Sequence, residues 1–187
     1  MKILSNFDTK LAEKLREQYK EEYGPQNVVI LKRSRWHLFS YVWLPLIVYL
    51  LWTIALILAL RQLDLLANNV VLFIVWVIWL LLLLHGLWML SEKFFDYKMD
   101  FVIVTPEFIS KYDQRGIFAR DVEKLLPTHL KTVSIAKEGF AASLFNLGTI
   151  YFLSEGDNLK GKLEMDYVEN VEKQAKKVRV ALWFDRW

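Results

Sequence analysis

The chain has no cysteine and no recognisable catalytic motif. Cysteine is absent from its 187 residues, which excludes disulfide bonds, thiol nucleophiles and metal sites built from thiolates. The first 24 residues are rich in charge and lack the apolar core of a secretory signal. No phosphate-binding glycine loop and no G-x-S-x-G serine context occur. His37, His85 and His129 are far apart in the sequence, and none has a ligand-type neighbour at metal-binding spacing. We therefore predict a non-enzymatic protein with no catalytic, cofactor or metal residues.

Two long apolar runs predict membrane-spanning helices. Residues 38–60 contain no charge in 23 residues, and residues 70–90 contain only His85 as a titratable group. Each run is long enough to cross a hydrocarbon core of about 30 Å as a helix. Only nine residues, 61–69, link the two runs, which predicts a helical hairpin. His85 is interpreted as a helix-packing or partly hydrated side chain, with a proton relay as the alternative.

The basic residues predict the orientation of this hairpin. Residues 1–37 contain eight lysines and arginines, residues 91–187 contain fifteen, and the link contains one. The positive-inside rule therefore places both termini in the cytoplasm, as expected for a multi-pass protein of the bacterial cytoplasmic (inner) membrane. The predicted anchors at the membrane interface are Lys32, Arg33, Arg35, Trp36, Lys93 and Lys98.

Residues 91–187 have the pattern of a small β-domain that ends in a helix. Short apolar runs alternate with turn signals, and the clearest predicted strand places Leu163, Met165 and Tyr167 on one face. Apolar residues at three- and four-residue spacing from Val168 to Leu182 predict an amphipathic C-terminal helix. Asp166 and Glu169 resemble a capping box at its start. We predict about seven antiparallel strands in one bent sheet, with the helix at one end.

The N-terminal segment is helical in composition. Asp8 is the predicted N-cap, Gly24 and Pro25 end the helix, and Leu11, Leu15, Tyr19 and Tyr23 form an apolar stripe. We expect this stripe to pack on the protein's own β-domain. Docking on a membrane or on a partner is the alternative.

This order of elements resembles the bacterial pleckstrin-homology (PH) membrane proteins. The similar segments are the lead-in "NVVILKRSRWHLF", the run "DFVIVTPEFISKYDQRGIFARDVEKLLPTHLKTVSI" and the turn glycine, Gly148, with the strand after it in "FNLGTIYFLSEG". The resemblance implies an α-helical membrane hairpin plus an α+β PH-like domain. The predicted divisions are an N-terminal cytoplasmic helix and basic lead-in (1–37), the hairpin (38–90) and the PH-like domain (91–187).

The resemblance also implies binding of a protein or lipid partner at the membrane. Basic residues in the connections are candidate contacts to anionic lipid head groups or to a partner: Lys111, Arg115, Arg120, Lys131 and Lys137. Two alternatives remain, an oligomeric scaffold of the bacterial envelope and an accessory subunit of a membrane enzyme or transporter that depends on His85. A homo-oligomer or a membrane-protein partner is compatible with each, and no nucleic-acid partner is expected.

Overall fold

The computed structural model describes residues 10–62, 69–115, 119–154 and 162–183. Contacts divide the chain into two compact units. One unit, the β unit, combines Met1–Arg35 with Phe95–Trp187, and the other, the helical unit, is Trp36–Phe94. The domain boundaries after residues 37 and 90 stay predictions from sequence. The contacts assign the N-terminal segment to the same unit as the strands that follow the apolar helices.

The described residues form seven strands and five α-helical segments. The helices are α1 (Leu11–Tyr23), α2 (Arg35–Gln62), α3 (Asn69–Met99), α4 (Phe140–Phe145) and α5 (Val171–Trp183). The strands are β1 (Val29–Lys32), β2 (Phe101–Val104), β3 (Ile109–Arg115), β4 (Ala119–Leu125), β5 (Leu130–Ala136), β6 (Leu147–Ser154) and β7 (Lys162–Glu169).

The strands form two antiparallel sheets, in the orders β1-β2-β3-β4 and β5-β6-β7. The prediction of a single bent sheet was therefore wrong, although the number of strands was right. Between β4 and β5 the chain makes a 3-10 turn over Pro127–His129. Because proline has no N–H to donate, the ladder is interrupted there, and β5 pairs with β6 instead of β4.

The β unit has a continuous apolar core between the sheets and α5. Leu31, Val102, Ile109, Ile150 and Phe152 are completely buried. On α5 the predicted spacing is confirmed, because its buried side chains are Val171, Ala175, Val178, Ala181 and Leu182. The capping box was wrong: Asp166 and Glu169 lie in β7, and Asp166 accepts a hydrogen bond of 2.9 Å from the Thr149 hydroxyl.

Helix α1 packs on the outer face of the four-stranded sheet. Its stripe of Leu11, Leu15, Tyr19 and Tyr23 surrounds a small buried cluster of Ala12, Val28, Phe101 and Ile103. The expected packing on the protein's own β strands is thus confirmed. Tyr23 also donates a hydrogen bond of 2.8 Å to Glu107, which raises the pKa of Tyr23. The proposed N-cap, Asp8, lies outside the described residues.

In the helical unit, α2 and α3 are long and apolar enough to cross a membrane. A π-helical turn over Phe39–Trp43 precedes Pro45 in α2. Near the middle of the helices the Trp79 indole donates to the Thr53 hydroxyl at 3.1 Å, and the Tyr49 hydroxyl donates to the Trp79 carbonyl at 3.4 Å. An apolar groove of about 670 Å³ runs along both helices. His85 is exposed on α3, and its role stays a prediction.

Candidate functional site

A polar cavity of about 390 Å³ opens in the β unit where α1, β1 and α5 meet. Residues of the segment that follows β1, of α3 and of the end of β7 also line it. The side chains that line it are Ala12, Glu13, Arg16, Ile30, Lys32, Arg33, Ser34, Arg35, Tyr97, Val168, Glu169 and Gln174. We call this space the cationic cavity, because four of these side chains are cations and two are carboxylates.

The cations of the cationic cavity differ in their partners. Arg33 forms an ion pair of 2.8 Å with the buried carboxylate of Asp100. Lys32 is 3.8 Å from Glu13, with both side chains at least half exposed, so this pair contributes little. Arg16 and Arg35 are exposed, and within the described parts of the chain neither forms an ion pair with a carboxylate.

Ser34 is held in the cavity by the backbone of β7. Its N–H donates a hydrogen bond of 2.7 Å to the Tyr167 carbonyl, and Arg33 forms a β-bridge with Val168. Tyr167 has a φ of 55°, an unfavourable conformation for a bulky residue. The Ser34 side chain is buried, and its hydroxyl has no hydrogen-bond partner in the described structure.

Asp100 fixes Arg33 beside the cavity. One carboxylate oxygen of Asp100 pairs with Arg33, and the other accepts the Gln114 N–H at 2.8 Å. Burial raises the pKa of Asp100 to about 6, and Asp113 and Asp96 add to the rise, whereas the Gln114 N–H and Arg33 oppose it. Burial has the largest effect, because water is excluded from a carboxylate that is only 2% exposed. Asp100 is therefore ionised at neutral pH and takes up a proton in mild acid.

The six predicted anchors are divided between the two units. Lys32, Arg33 and Arg35 line the cationic cavity in the β unit. Trp36 and Lys93 belong to the helical unit, where Trp36 packs on Phe39 with ring centroids 5.3 Å apart. Lys98 is exposed near the end of α3 with its ammonium 6.0 Å from the Tyr97 ring. A role as interface anchors stays a prediction for all six.

The five predicted contact residues do not form one cluster. Lys111 pairs with Asp113 at 3.3 Å, Arg120 donates to the Gln114 side chain at 3.2 Å, and both belong to the first sheet. Lys131 is exposed on β5 of the other sheet. Lys137 follows β5 and pairs with Glu172 at 2.9 Å, which lowers the pKa of Glu172. Arg115 ends β3, and its side chain lies outside the described part.

Sequence reasoning missed Arg16, Ser34, Tyr97, Asp100 and Glu169. Arg16 follows Ala12 by one helical turn on α1, and this spacing was the one available signal that it lies beside the packed face. The others come from separate segments that only the strand pairing brings together. In the ranges that the structure describes, no group of three or more histidines and carboxylates has the geometry to hold a metal ion.

Comparison of the chain with known protein families, with curated proteins and with solved structures gives no match.

Proposed function

We propose that this protein is a non-enzymatic, membrane-anchored recognition module, in which a PH-like domain binds a protein or lipid partner at the membrane surface. The α2–α3 hairpin provides the anchor in a bacterial cytoplasmic membrane. The β unit lies in the cytoplasm together with both termini.

The observation that carries this proposal is the pairing of β1 with β2 across the hairpin. Lys32 lies opposite Phe101 in the antiparallel register, so the chain leaves the sheet and returns to it at adjacent positions. An insertion with adjacent ends crosses a bilayer an even number of times. Two candidate spans satisfy this requirement, and the lysine and arginine distribution favours the cytoplasmic side.

The order of the elements supports a PH-like domain. Seven antiparallel strands in two sheets precede α5, which covers the core. This is the order of strands and helix on which the sequence resemblance rests. The strand "NVVIL" of the basic lead-in corresponds to β1, so the domain we propose consists of two segments with the hairpin between them.

The cationic cavity supports recognition near a membrane. Arg35 is the residue at which α2 begins, so the cavity's cations directly precede a candidate span in the sequence. Cations close to an anionic leaflet each contribute about 1 kcal/mol of attraction. Anionic head groups and acidic partner surfaces would both be favoured at this position.

Reporter fusions test this arrangement. A fusion that ends at residue 65, between the spans, should place its reporter outside the cytoplasm, and a fusion at residue 187 should place it inside. The same result is expected for a fusion at the N-terminus as for residue 187. Reporters of opposite location at the two termini would contradict the proposal.

A second candidate function, an oligomeric scaffold, is favoured by α4. This short helix leaves Phe140 83% exposed and Leu144 63% exposed, beside the exposed ring of Phe145. Clustered apolar side chains on a β domain are typical of protein interfaces. If α4 joins copies of this chain, light scattering of the full chain in mild detergent should give a defined oligomer.

If the protein is an oligomeric scaffold joined through α4, the double substitution Phe140→Ser with Leu144→Ser should dissociate the oligomer. Val122→Ser is the matched control, because Val122 is an exposed apolar residue on β4. A monomeric wild-type chain, or an oligomer that survives the α4 substitutions, would contradict the scaffold function.

A further inference from the structure

We propose that the cationic cavity is a binding site for a phosphate ester that carries hydroxyl groups, of the glycerol phosphate type. The ligand's source is either a lipid head group or a soluble metabolite, and both present the same chemistry. This inference rests on the proposed function, because it assigns a ligand class to the recognition module. It places that ligand at the end of β1.

The first argument is the excess of positive charge. Four cations face two carboxylates around one cavity, and Asp100, which pairs with Arg33, reduces the excess to one positive charge. Arg33 is committed to Asp100 at 2.8 Å, but Arg16 and Arg35 form no ion pair with the described carboxylates. Like charges gathered on separate elements repel one another, and an anion bound between them removes that repulsion. Arginine is especially suited to phosphate, because its planar guanidinium can donate two parallel hydrogen bonds.

The second argument is independent of charge and concerns Ser34. The residue is only 5% exposed and lines the cavity, yet its hydroxyl has no hydrogen-bond partner. A buried hydroxyl without a partner is unfavourable, and such groups are rare in folded proteins. The backbone N–H of Ser34 is already used by Tyr167, which fixes the residue in place. The hydroxyl oxygen has almost no exposed surface, so the Ser34 side chain must rotate toward the cavity before a phosphate oxygen can accept the hydrogen bond that the hydroxyl lacks.

The third argument favours an ester over a bare phosphate ion. Glu13 and Glu169 also line the cavity, and carboxylates repel an anion but accept hydrogen bonds from hydroxyls. A volume of about 390 Å³ is within the range of small-molecule sites, about 300–1,000 Å³. A phosphate bonded to a small polyol would place its charge toward the arginines and its hydroxyls toward the carboxylates.

The test uses the full chain, purified in a neutral detergent, with three probes. Glycerol 3-phosphate is added in solution, and phosphatidylglycerol is added in mixed micelles. Phosphatidylethanol is the matched lipid control, because it has the same anionic phosphate diester but no head-group hydroxyls. Binding is measured by calorimetry for the soluble probe and by native mass spectrometry for the lipids.

Ser34→Ala is the decisive variant. Because the hydroxyl has no partner in the free protein, its removal should leave the Tm unchanged or raise it. Loss of a hydrogen bond to a charged ligand should weaken binding about tenfold or more. Arg35→Gln should weaken binding similarly, and Lys131→Gln, an exposed lysine on the other sheet, should have no effect.

The outcomes separate the ligand's source from the site itself. Binding of phosphatidylglycerol, sensitive to Ser34→Ala, supports the site and a lipid head group. Binding of glycerol 3-phosphate alone supports the site but contradicts recognition of lipid. If neither probe binds, or if Lys131→Gln weakens binding as much as Ser34→Ala, the site is refuted. The reporter fusions would still decide the membrane arrangement separately.

Discussion

Gly148 lies in β6 at a position where a side chain has no room. A Cβ atom there would lie 2.6 Å from the carbonyl oxygen of Ala136 and 2.9 Å from a methyl carbon of Val171. The first contact is with the backbone of the neighbouring strand, and Val171 is completely buried at the start of α5. We expect Gly148→Ala to lower the free energy of unfolding by about 2–3 kcal/mol, as overpacking does in well-packed cores. This corresponds to a fall in Tm of roughly 5–10 °C.

The absence of cysteine provides an assay that reports on the β unit alone. Val133→Cys would place a single thiol at a buried position on β5, and this background is used for every variant. The rate of thiol labelling of the full chain in detergent then follows opening of the β unit and not of the helical unit. Gly148→Ala should accelerate labelling and lower the temperature at which labelling becomes fast.

Gly86→Ala is the matched control, because a Cβ at Gly86 meets nothing within 4 Å. Gly86 lies inside α3, where alanine is favoured over glycine by up to about 1 kcal/mol. Adding Val171→Ala to Gly148→Ala should cost less than the sum of the two single changes, since it removes one of the close contacts. Equal labelling of the Gly148→Ala and Gly86→Ala variants would refute the argument.

Three further predictions concern other parts of the chain. Leu31→Ala should destabilise the β unit by about 2–5 kcal/mol in the thiol assay, since Leu31 is fully buried in β1; no change would contradict its place in the core. The pKa of Asp100 is about 6 in the folded protein and near 4 in the unfolded chain. The folded state therefore binds this proton more tightly, and the stability that it contributes is complete below pH 4 and lost as pH rises through 6. Relative to Asp100→Asn, the wild type should therefore lose about 2–3 kcal/mol between pH 4 and pH 7, and parallel pH profiles would contradict this. Thr53→Val should weaken the α2–α3 pair by about 0.6 kcal/mol in thermal melts followed by tryptophan fluorescence, with Thr132→Val on β5 as a neutral control.

The local structure of the β unit was predictable where the apolar residues are regular. The alternation of Leu163 and Met165 predicts a strand with one buried face, and both residues are buried in β7. The spacing of Val171, Ala175 and Val178 predicts a buried helix face for the same reason. Each pattern arises because one face of a single strand or helix is buried, so the local sequence is sufficient to predict the element and its buried face.

The signals that failed depend on competition between neighbouring elements. Asp166 and Glu169 have the spacing of a capping box, but pairing of β7 with β6 continues past them and the helix begins at Val171. Gly148 resembles a turn glycine, but it is required in β6 because Ala136 and Val171 approach so closely. A single sequence does not contain the contacts that decide these cases.

The cationic cavity could not be predicted as a site. The lead-in predicts basic residues before the first span, and Lys32, Arg33 and Arg35 are such residues. Their meeting with Arg16 and Glu169 depends on the docking of α1 and on the bridge between Arg33 and Val168. The bridge joins two residues that are 135 positions apart in the sequence, and α1 packs on Phe101 and Ile103, which come after both apolar helices.

The account rests on one β unit built from both sides of the hairpin, and a cross-link across β1 and β2 tests it most directly. Ile30 lies opposite Ile103, and opposed residues of antiparallel strands have Cα atoms about 4.5–5.5 Å apart, within reach of a disulfide. Ile30→Cys with Ile103→Cys should form a disulfide that still joins the two fragments after cleavage at a protease site inserted at residue 65. The pair Ile30→Cys with Val104→Cys should form no disulfide, because Val104 lies opposite Val29 and faces the other side of the sheet. Failure of the first pair, or equal cross-linking of both pairs, would contradict the account.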